Sequence, residues 1–368
     1  MSEEETRDLL DEGRSLARDL DRPAALGAML MGVAAQPGVR GRVEAALEIA
    51  TEASAMINDD MDPSEIVAIE TGRAYWSMIT GRLPQALAAF DGIIERSGGD
   101  PQVGGQVVGY SPLIWAETLA AWTLAMLGRF DECWPRAERA IRLAREHHAQ
   151  ENLGWALGVP AFVAYIARGT SRLPVSDICQ ASVESCEIAE SVGSRYSQLV
   201  ASFGLATALC LNGDSATGEG RFTDTFTQAR SAGIALESQA FHLAVLADAR
   251  RARGDADAAI RAAREGVAVA DANAAWFQAA LARAALADAL IHAQAPEAEI
   301  SRAIVEAREL VRKSGGESLL PRLCEAEARL AGRTNRDALI ADLREAEAMY
   351  RAVGAPDPAA RLVSEIGS

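Results

Sequence analysis

Glycine recurs along this 368-residue chain at an interval that a stack of near-equal units produces. Gly41, Gly81, Gly128, Gly169, Gly213 and Gly254 are separated by 40, 47, 41, 44 and 41 residues, and Gln294 and Gly332 extend the series by 40 and 38. A spacing held that long marks a repeat architecture, in which each unit buries its apolar face against its neighbours. The stretches between these points have helical periodicity. Trp115, Leu119, Trp122 and Met126 fall at i, i+4, i+7 and i+11, and Ala137, Ala140, Ile141 and Ala144 at i, i+3, i+4 and i+7. Each set makes one face of a helix. The β-branched alternation that builds strands is missing. Abundant alanine between the glycines adds helix propensity. The expected fold is all-α, built from antiparallel helix pairs with a period of about 42 residues.

Composition narrows the function. Lys plus Arg number 36 against 52 Asp plus Glu, a net charge of −16. That balance excludes the basic footprint of a nucleic-acid or anionic-membrane binder. The longest apolar runs, Leu199–Leu211 and Gly154–Ala167, are shorter than the roughly 20 residues of a membrane-spanning helix. Met1–Glu5 is acidic where a secretory signal is basic. Cys133, Cys179, Cys186, Cys210 and Cys324 are scattered and odd in number, which fits a reducing compartment. A cytoplasmic location is therefore expected. Lys313 is the only lysine beside 35 arginines, a bias that points to a high-GC, bacterial genome.

Catalytic motifs are missing. Lys313 follows Arg312 rather than glycine, so no phosphate-cradling loop surrounds it. No strand precedes a glycine-rich helix start, which removes a dinucleotide fold. The densest metal-like cluster, Glu146, His147, His148 and Glu151, falls at the end of a predicted helix, where cationic side chains favour the dipole. Cys179 and Cys186 read as small buried hydrophobes. No catalytic residue, cofactor or metal ligand is expected, and the chain reads as a non-enzyme.

A common code follows the glycines. Gly81 leads to Leu83, Ala86 and Phe90; Gly128 to Phe130, Cys133, Ala137 and Ala140; Gly254 to Ala256, Ala259, Ala263 and Gly266. This resembles the second helix of a tetratricopeptide repeat, although the period is longer than that family's 34 residues. The resemblance implies a right-handed superhelical solenoid in which the first helix of each pair lines an inner groove. Projected from the glycine anchors, the groove positions are Tyr75, Met78, Trp115, Thr118, Trp122, Phe203, Cys210, Phe241, Asp248 and Arg251. Asp248 and Arg251, at i and i+3, are spaced to pair with each other. Two readings of the aromatics stand open, groove lining and core packing. On the first, the groove takes a protein or peptide partner or a small apolar ligand. No linker divides residues 1–368, which read as one repeat domain of about eight helix pairs. Asp100–Ser111 and Thr170–Ser176 read as loops between helices, and 355–368 as a terminal capping helix with Ala359, Leu362, Val363 and Ile366 on one stripe.

Further segments carry a second resemblance. They are Leu9–Ala17 with Ala24–Leu26, Gly109–Pro112, Leu127–Phe130, Leu153–Ala156, and Leu343–Ala346 through Ala352–Ala355 to Ala360–Leu362. Together they resemble the C-terminal tetratricopeptide region of bacterial signalling proteins that carry class III nucleotide cyclase and AAA (STAND-type) ATPase domains. Sister regions accompany LuxR-type DNA-binding domains in MalT-like regulators. The cyclase and ATPase modules are not in this sequence, so no catalytic residue carries over. What the resemblance implies is a sensory or scaffolding role serving a signalling module, with the ligand-sensing arm of a transcription regulator as the alternative; a helical enzyme with an active site in the groove is the third reading, weighed against by the few titratable residues placed there.

Overall fold

The computed structural model describes residues 23–169, 172–333 and 336–367, with Asp11, Glu12 and Ser15. Most of the Leu9–Ala17 segment, and residues 170 and 171 of the Thr170–Ser176 connection, lie outside the described residues. The chain is 80% helical, and no strand occurs among the described residues.

The helices come in successive antiparallel pairs, numbered here as units. Unit 1 pairs α1 (Pro23–Val39) with α2 (Val43–Ser54), and unit 2 pairs α3 (Pro63–Ile79) with α4 (Leu83–Arg96). A single helical turn, α5 (Gly105–Val108), interrupts the expected Asp100–Ser111 loop before unit 3, α6 (Pro112–Met126) and α7 (Phe130–Glu146). The first helix of unit 4 is split into α8 (Gln150–Ala156) and α9 (Val159–Ala167), ahead of α10 (Val175–Val192). Units 5 to 7 are α11 (Arg195–Leu211) with α12 (Ser215–Ala232), α13 (Gln239–Ala252) with α14 (Ala256–Ala272), and α15 (Trp276–His292) with α16 (Glu297–Ser314). A 3₁₀ turn (Glu317–Leu319) leads into unit 8, α17 (Leu320–Ala331) and α18 (Arg336–Ala352), and α19 (Pro356–Ile366) follows as the first helix of unit 9.

Local chemistry sets these boundaries. Proline opens α3, α6 and α19, where its missing N–H has no helical partner to lose. Asp62 caps α3 through Ser64 N–H, while Glu65 reaches back to Asp62 N–H, a reciprocal cap. Within pairs, Gly41, Gly81, Gly128, Gly213 and Gly254 turn the chain with φ of 87°, 84°, 78°, 83° and 82°. Two members of the series act differently. In unit 4 the left-handed residue is Arg168 (φ 57°), one position before Gly169, and in unit 8 Gly332 is right-handed with φ of −65°. Gly169 is needed for closeness instead, because a Cβ there would run into Asp357.

Small residues bring the helices together. A Cβ on Gly266 of α14 would lie 3.3 Å from the Cβ atoms of both Ala282 and Leu243. The stack then winds tightly enough to meet itself. Leu236 N–H, just before α13, donates to Val39 O at the end of α1 at 2.9 Å. Trp276 N–H, at the start of α15, donates to Thr80 O after α3 at 3.2 Å. Ser318 Oγ, before α17, donates to Met126 O at the end of α6 at 2.7 Å. Asp357, at the start of α19, abuts Gly169 after α9. In each case the end of a first helix meets the beginning of the first helix five units later. The Arg82 guanidinium of unit 2 also lies over the Trp276 ring at 4.7 Å, a further contact across the second of these junctions, and the Lys313 ammonium, from the same unit as Trp276, lies over that ring at 3.8 Å.

Gly81 and Gly213 share one backbone conformation in different surroundings. A Cβ on Gly81 would approach Phe277 N to 2.8 Å, whereas nothing lies within 4 Å of one on Gly213. Gly213→Ala is therefore expected to cost only the left-handed strain, about 1–2 kcal/mol. Gly81→Ala is expected to cost clearly more, by forcing the junction apart. Urea unfolding of both variants checks this, and equal midpoints would mean that the junction contributes nothing.

Candidate binding site: an aromatic cavity on the inner face

The first helices of units 1 to 7 face inward and leave between them a cavity of about 360 Å³. That volume is in the range of small-molecule sites. Its wall draws on α1, α3, α6, α8, α9, α11, α13 and α15. The split first helix of unit 4 shapes one side. Pro160 has no N–H to continue the helix and its ring crowds the carbonyl four residues back, so the helix breaks at Leu157–Gly158. Trp155 before the break and Phe162 after it both reach the wall.

Two runs of rings form part of the lining. In the first, Tyr75, Trp115, Tyr110 and Trp155 follow one another with centroid separations of 5.5, 5.7 and 5.3 Å. In the second, Trp122 stacks on Phe162 at 4.5 Å, and Phe162 on Phe241 at 4.7 Å. Tyr110 lies in a loop, held because the Asn152 side chain bonds both Ser111 N–H (2.9 Å) and Ser111 O (3.1 Å). Trp155 Nε1–H donates to Ser197 Oγ at 3.2 Å, tying α8 to α11.

One carboxyl interrupts this apolar wall. Glu237 stands in the loop before α13 and is 1% exposed. Its carbonyl accepts from Gln278 Nε2 at 2.8 Å, and Gln278 Oε1 accepts from Phe241 N–H at 3.2 Å. Tyr196 OH donates to Glu237 Oε1 at 2.7 Å and Tyr75 OH to the same oxygen at 3.3 Å. Oε2 is buried without a hydrogen-bond partner, and so is the indole N–H of Trp122. Among the described residues no lysine or arginine lines the cavity, and its one histidine is His242. His242 donates from Nδ1–H to Ser238 O at 2.9 Å; burial pushes its ring down to about 4, so it is neutral near pH 7.

Burial pushes the Glu237 carboxyl up to about 7, against the hydrogen bonds from Tyr196, its own backbone and Tyr75 that favour the charged form. The folded state thus holds this proton more tightly than the unfolded chain, where a glutamate titrates near 4.3. Stability falls as pH rises from about 4.3 through 7, over which the folded protein must give up the proton. Glu237→Gln keeps an oxygen for both tyrosines and carries no charge. Its melting temperature is expected to exceed that of the wild type at pH 8 and to match it near pH 4.5. Equal melting temperatures at both values would contradict this.

The sequence-derived groove residues divide into two groups. Tyr75, Met78, Trp115, Thr118, Trp122 and Phe241 lie on the cavity wall. Phe203, Asp248 and Arg251 do not. Phe203 is 0% exposed and its ring turns toward α12, 5.1 Å from Phe226 and 6.2 Å from Phe222. Asp248 belongs to a buried ion cluster: Arg322 meets it at 2.7 Å and Asp288 at 2.9 Å, Arg168 reaches Asp288 at 3.3 Å, and Tyr165 OH donates to Asp248 at 2.8 Å. Arg251 does pair with Asp248, but at 3.7 Å it is an outer member. Cys210 packs beside Gly218, away from the cavity. Tyr110, Trp155, Phe162, Tyr196 and Glu237 were not anticipated as lining. Tyr110 and Trp155 sit in the Gly109–Pro112 and Leu153–Ala156 segments, and neither those segments nor the loop and apolar run that contain them mark a cavity wall.

The ion cluster is structural. Burial raises the Asp288 carboxyl, but Arg322, Arg168 and Arg251 outweigh it and hold the group at about 2. Arg322 is 3% exposed, so Arg322→Met would leave two partly buried carboxylates with only Arg168 and the more distant Arg251 as counter-charges. A loss of about 3–5 kcal/mol is expected, with partial recovery in the Arg322→Met, Asp288→Asn double variant. Chemical denaturation measures both.

Among the described residues, no group of three or more His, Cys, Asp or Glu could hold a metal ion, and no helix is long and apolar enough to cross a membrane. No protein family and no curated protein matches the sequence. Solved structures do match. Rap protein, in a complex with Competence and Sporulation Factor, aligns with a TM-score of 0.59 over 93% of this chain and 96% of its own, at 11% identity. BtubC (BKLC) from P. vanneervenii aligns over 62% of this chain and 89% of its own, at 15% identity and a TM-score of 0.43. The likeness to Rap is one of fold, a tetratricopeptide-like solenoid of helix pairs.

Proposed function

We propose that this chain is a non-catalytic sensor or interaction solenoid whose inner cavity takes up an apolar ligand, or the apolar side chains of a protein or peptide partner. The observation that carries the reading is the cavity itself, walled by rings from six units and holding two buried polar atoms without partners. Rings in an apolar pocket with a few polar groups are the composition of a binding site. The Rap likeness supports it at the level of fold, because that solenoid is seen in a complex with Competence and Sporulation Factor. The segments that resemble cyclase- and ATPase-linked repeat regions support a place in bacterial, cytoplasmic signalling, with occupancy of the cavity passed to a catalytic or regulatory module.

Trp122 offers the test. Its ring is half-buried, stacks on Phe162 and borders the cavity. N-phenyl-1-naphthylamine, an uncharged fluorescent probe, is expected to bind the wild type and quench its tryptophans. Trp122→Ala should weaken that binding by roughly ten-fold or more, as aromatic anchors do. The variant should melt close to the wild type, unlike one that has lost a core ring at about 3–5 kcal/mol. A wild-type protein that takes up no probe would overturn the reading.

A further inference from the structure

We propose that the cavity selects a small apolar cation, an amine or quaternary ammonium, whose charge lies among the rings of Tyr75, Tyr196 and Trp115 beside the Glu237 carboxyl. This rests on the cavity being a binding site and adds the sign of its ligand's charge.

The first support is how this protein treats its buried acids. Among the described residues three glutamates are buried: Glu117, Glu237 and Glu325. Glu117 faces Arg139 at 3.3 Å and Arg136 at 3.5 Å. Glu325 faces Arg361 at 2.8 Å and Arg329 at 2.9 Å. The less deeply buried Asp248 and Asp288 share Arg322. Glu237 alone in this set meets no cation, although arginine is abundant. A buried carboxylate without a counter-charge is costly, and Glu237 is the one that borders an open cavity.

The second support is the arrangement of its donors. Both tyrosine hydroxyls converge on Oε1, while Oε2 has no partner. A glutamine would serve both tyrosines equally well, since its amide oxygen accepts in the same way. The loop is held through the main-chain carbonyl of residue 237, not through the side chain. Neither task therefore calls for a carboxyl. An incoming cation does, and it need not touch Oε2, because attraction is weakly screened in so apolar a wall.

The rings supply the rest. The rings of Tyr75, Trp115 and Tyr110 follow one another along the wall from the tyrosine that bonds Glu237, and aromatic rings attract cations most strongly when water is excluded. The second ring run, Trp122 to Phe241, offers an apolar surface for the ligand's hydrocarbon body.

The test compares three probes of one shape on the full chain at pH 8: 4-phenylbutylamine, 4-phenylbutanol and 4-phenylbutyrate. Calorimetry and displacement of N-phenyl-1-naphthylamine give the affinities. The amine is expected to bind about ten-fold or more tightly than the alcohol, with the carboxylate weakest. Glu237→Gln should erase the amine's advantage and leave the alcohol within about two-fold of its wild-type affinity. Equal binding of amine and alcohol overturns the charge selectivity and leaves the apolar-site reading standing. Failure of all three probes to bind overturns both. Persistence of the amine's advantage in Glu237→Gln also overturns the proposal. The wild-type comparison decides the sign of the charge even if the variant does not fold.

Discussion

The architecture depends on the union of helix ends across one turn of the superhelix. Every α-helix leaves carbonyls at its C-terminus and N–H groups at its N-terminus without internal partners. Here a carbonyl from the end of one first helix receives a hydrogen bond from the start of another, five units on: Val39 from Leu236, Thr80 from Trp276, Met126 from Ser318. The dipoles run head to tail at each junction, negative end against positive end. Two of the three donors are main-chain groups, so the junctions ask little of the side chains. They ask much of the neighbouring turn residue, which must be small and left-handed at once; Gly81 and Gly128 meet both demands.

Closure at five units fixes how much space remains inside. The inward helices converge until their rings touch, and what is left is the aromatic cavity. Its polar corner is placed by the same junctions. Glu237 follows Leu236, the residue bonded to Val39, and Gln278 lies two positions after Trp276, the residue bonded to Thr80. Tyr75 comes from α3, whose end carries Thr80. The carboxyl and its two tyrosines, drawn from units 2, 5 and 6, are thus registered by backbone contacts rather than by their own hydrogen bonds.

Local rules in the sequence reveal the repeat and place some of the residues that line the cavity. The glycine interval marks five of the in-pair turns, and helical spacing puts Tyr75, Trp115, Trp122 and Phe241 on inward helices. Rotation of a helix about its axis is not legible in this way. One residue turns the face by about 100°, and Phe203 accordingly packs on Phe222 and Phe226 behind the wall. Long-range partners are equally hidden. Glu237 meets Tyr75 across 162 positions, and its loop is turned by Ala235, left-handed without being glycine. The spacing of Asp248 and Arg251 suggests a self-contained pair, yet Arg322, 74 positions away, binds the carboxylate more closely.

The junctions also change what kind of object a repeat array is. An open solenoid is nearly one-dimensional, each unit supported by its two neighbours, and folding can begin anywhere and spread. Here units 1 to 4 each have a further neighbour across the turn. Such contacts join positions as distant as Thr80 and Trp276 and must wait for both segments to be in place, with the slow loop closure that distance entails. During synthesis the ribosome delivers units 1 to 3 well before units 6 to 8. Through that interval the rings of Tyr75, Trp115 and Trp122 have their neighbours in units 2 to 4 but lack the wall that Phe241 and Phe277 of units 6 and 7 supply.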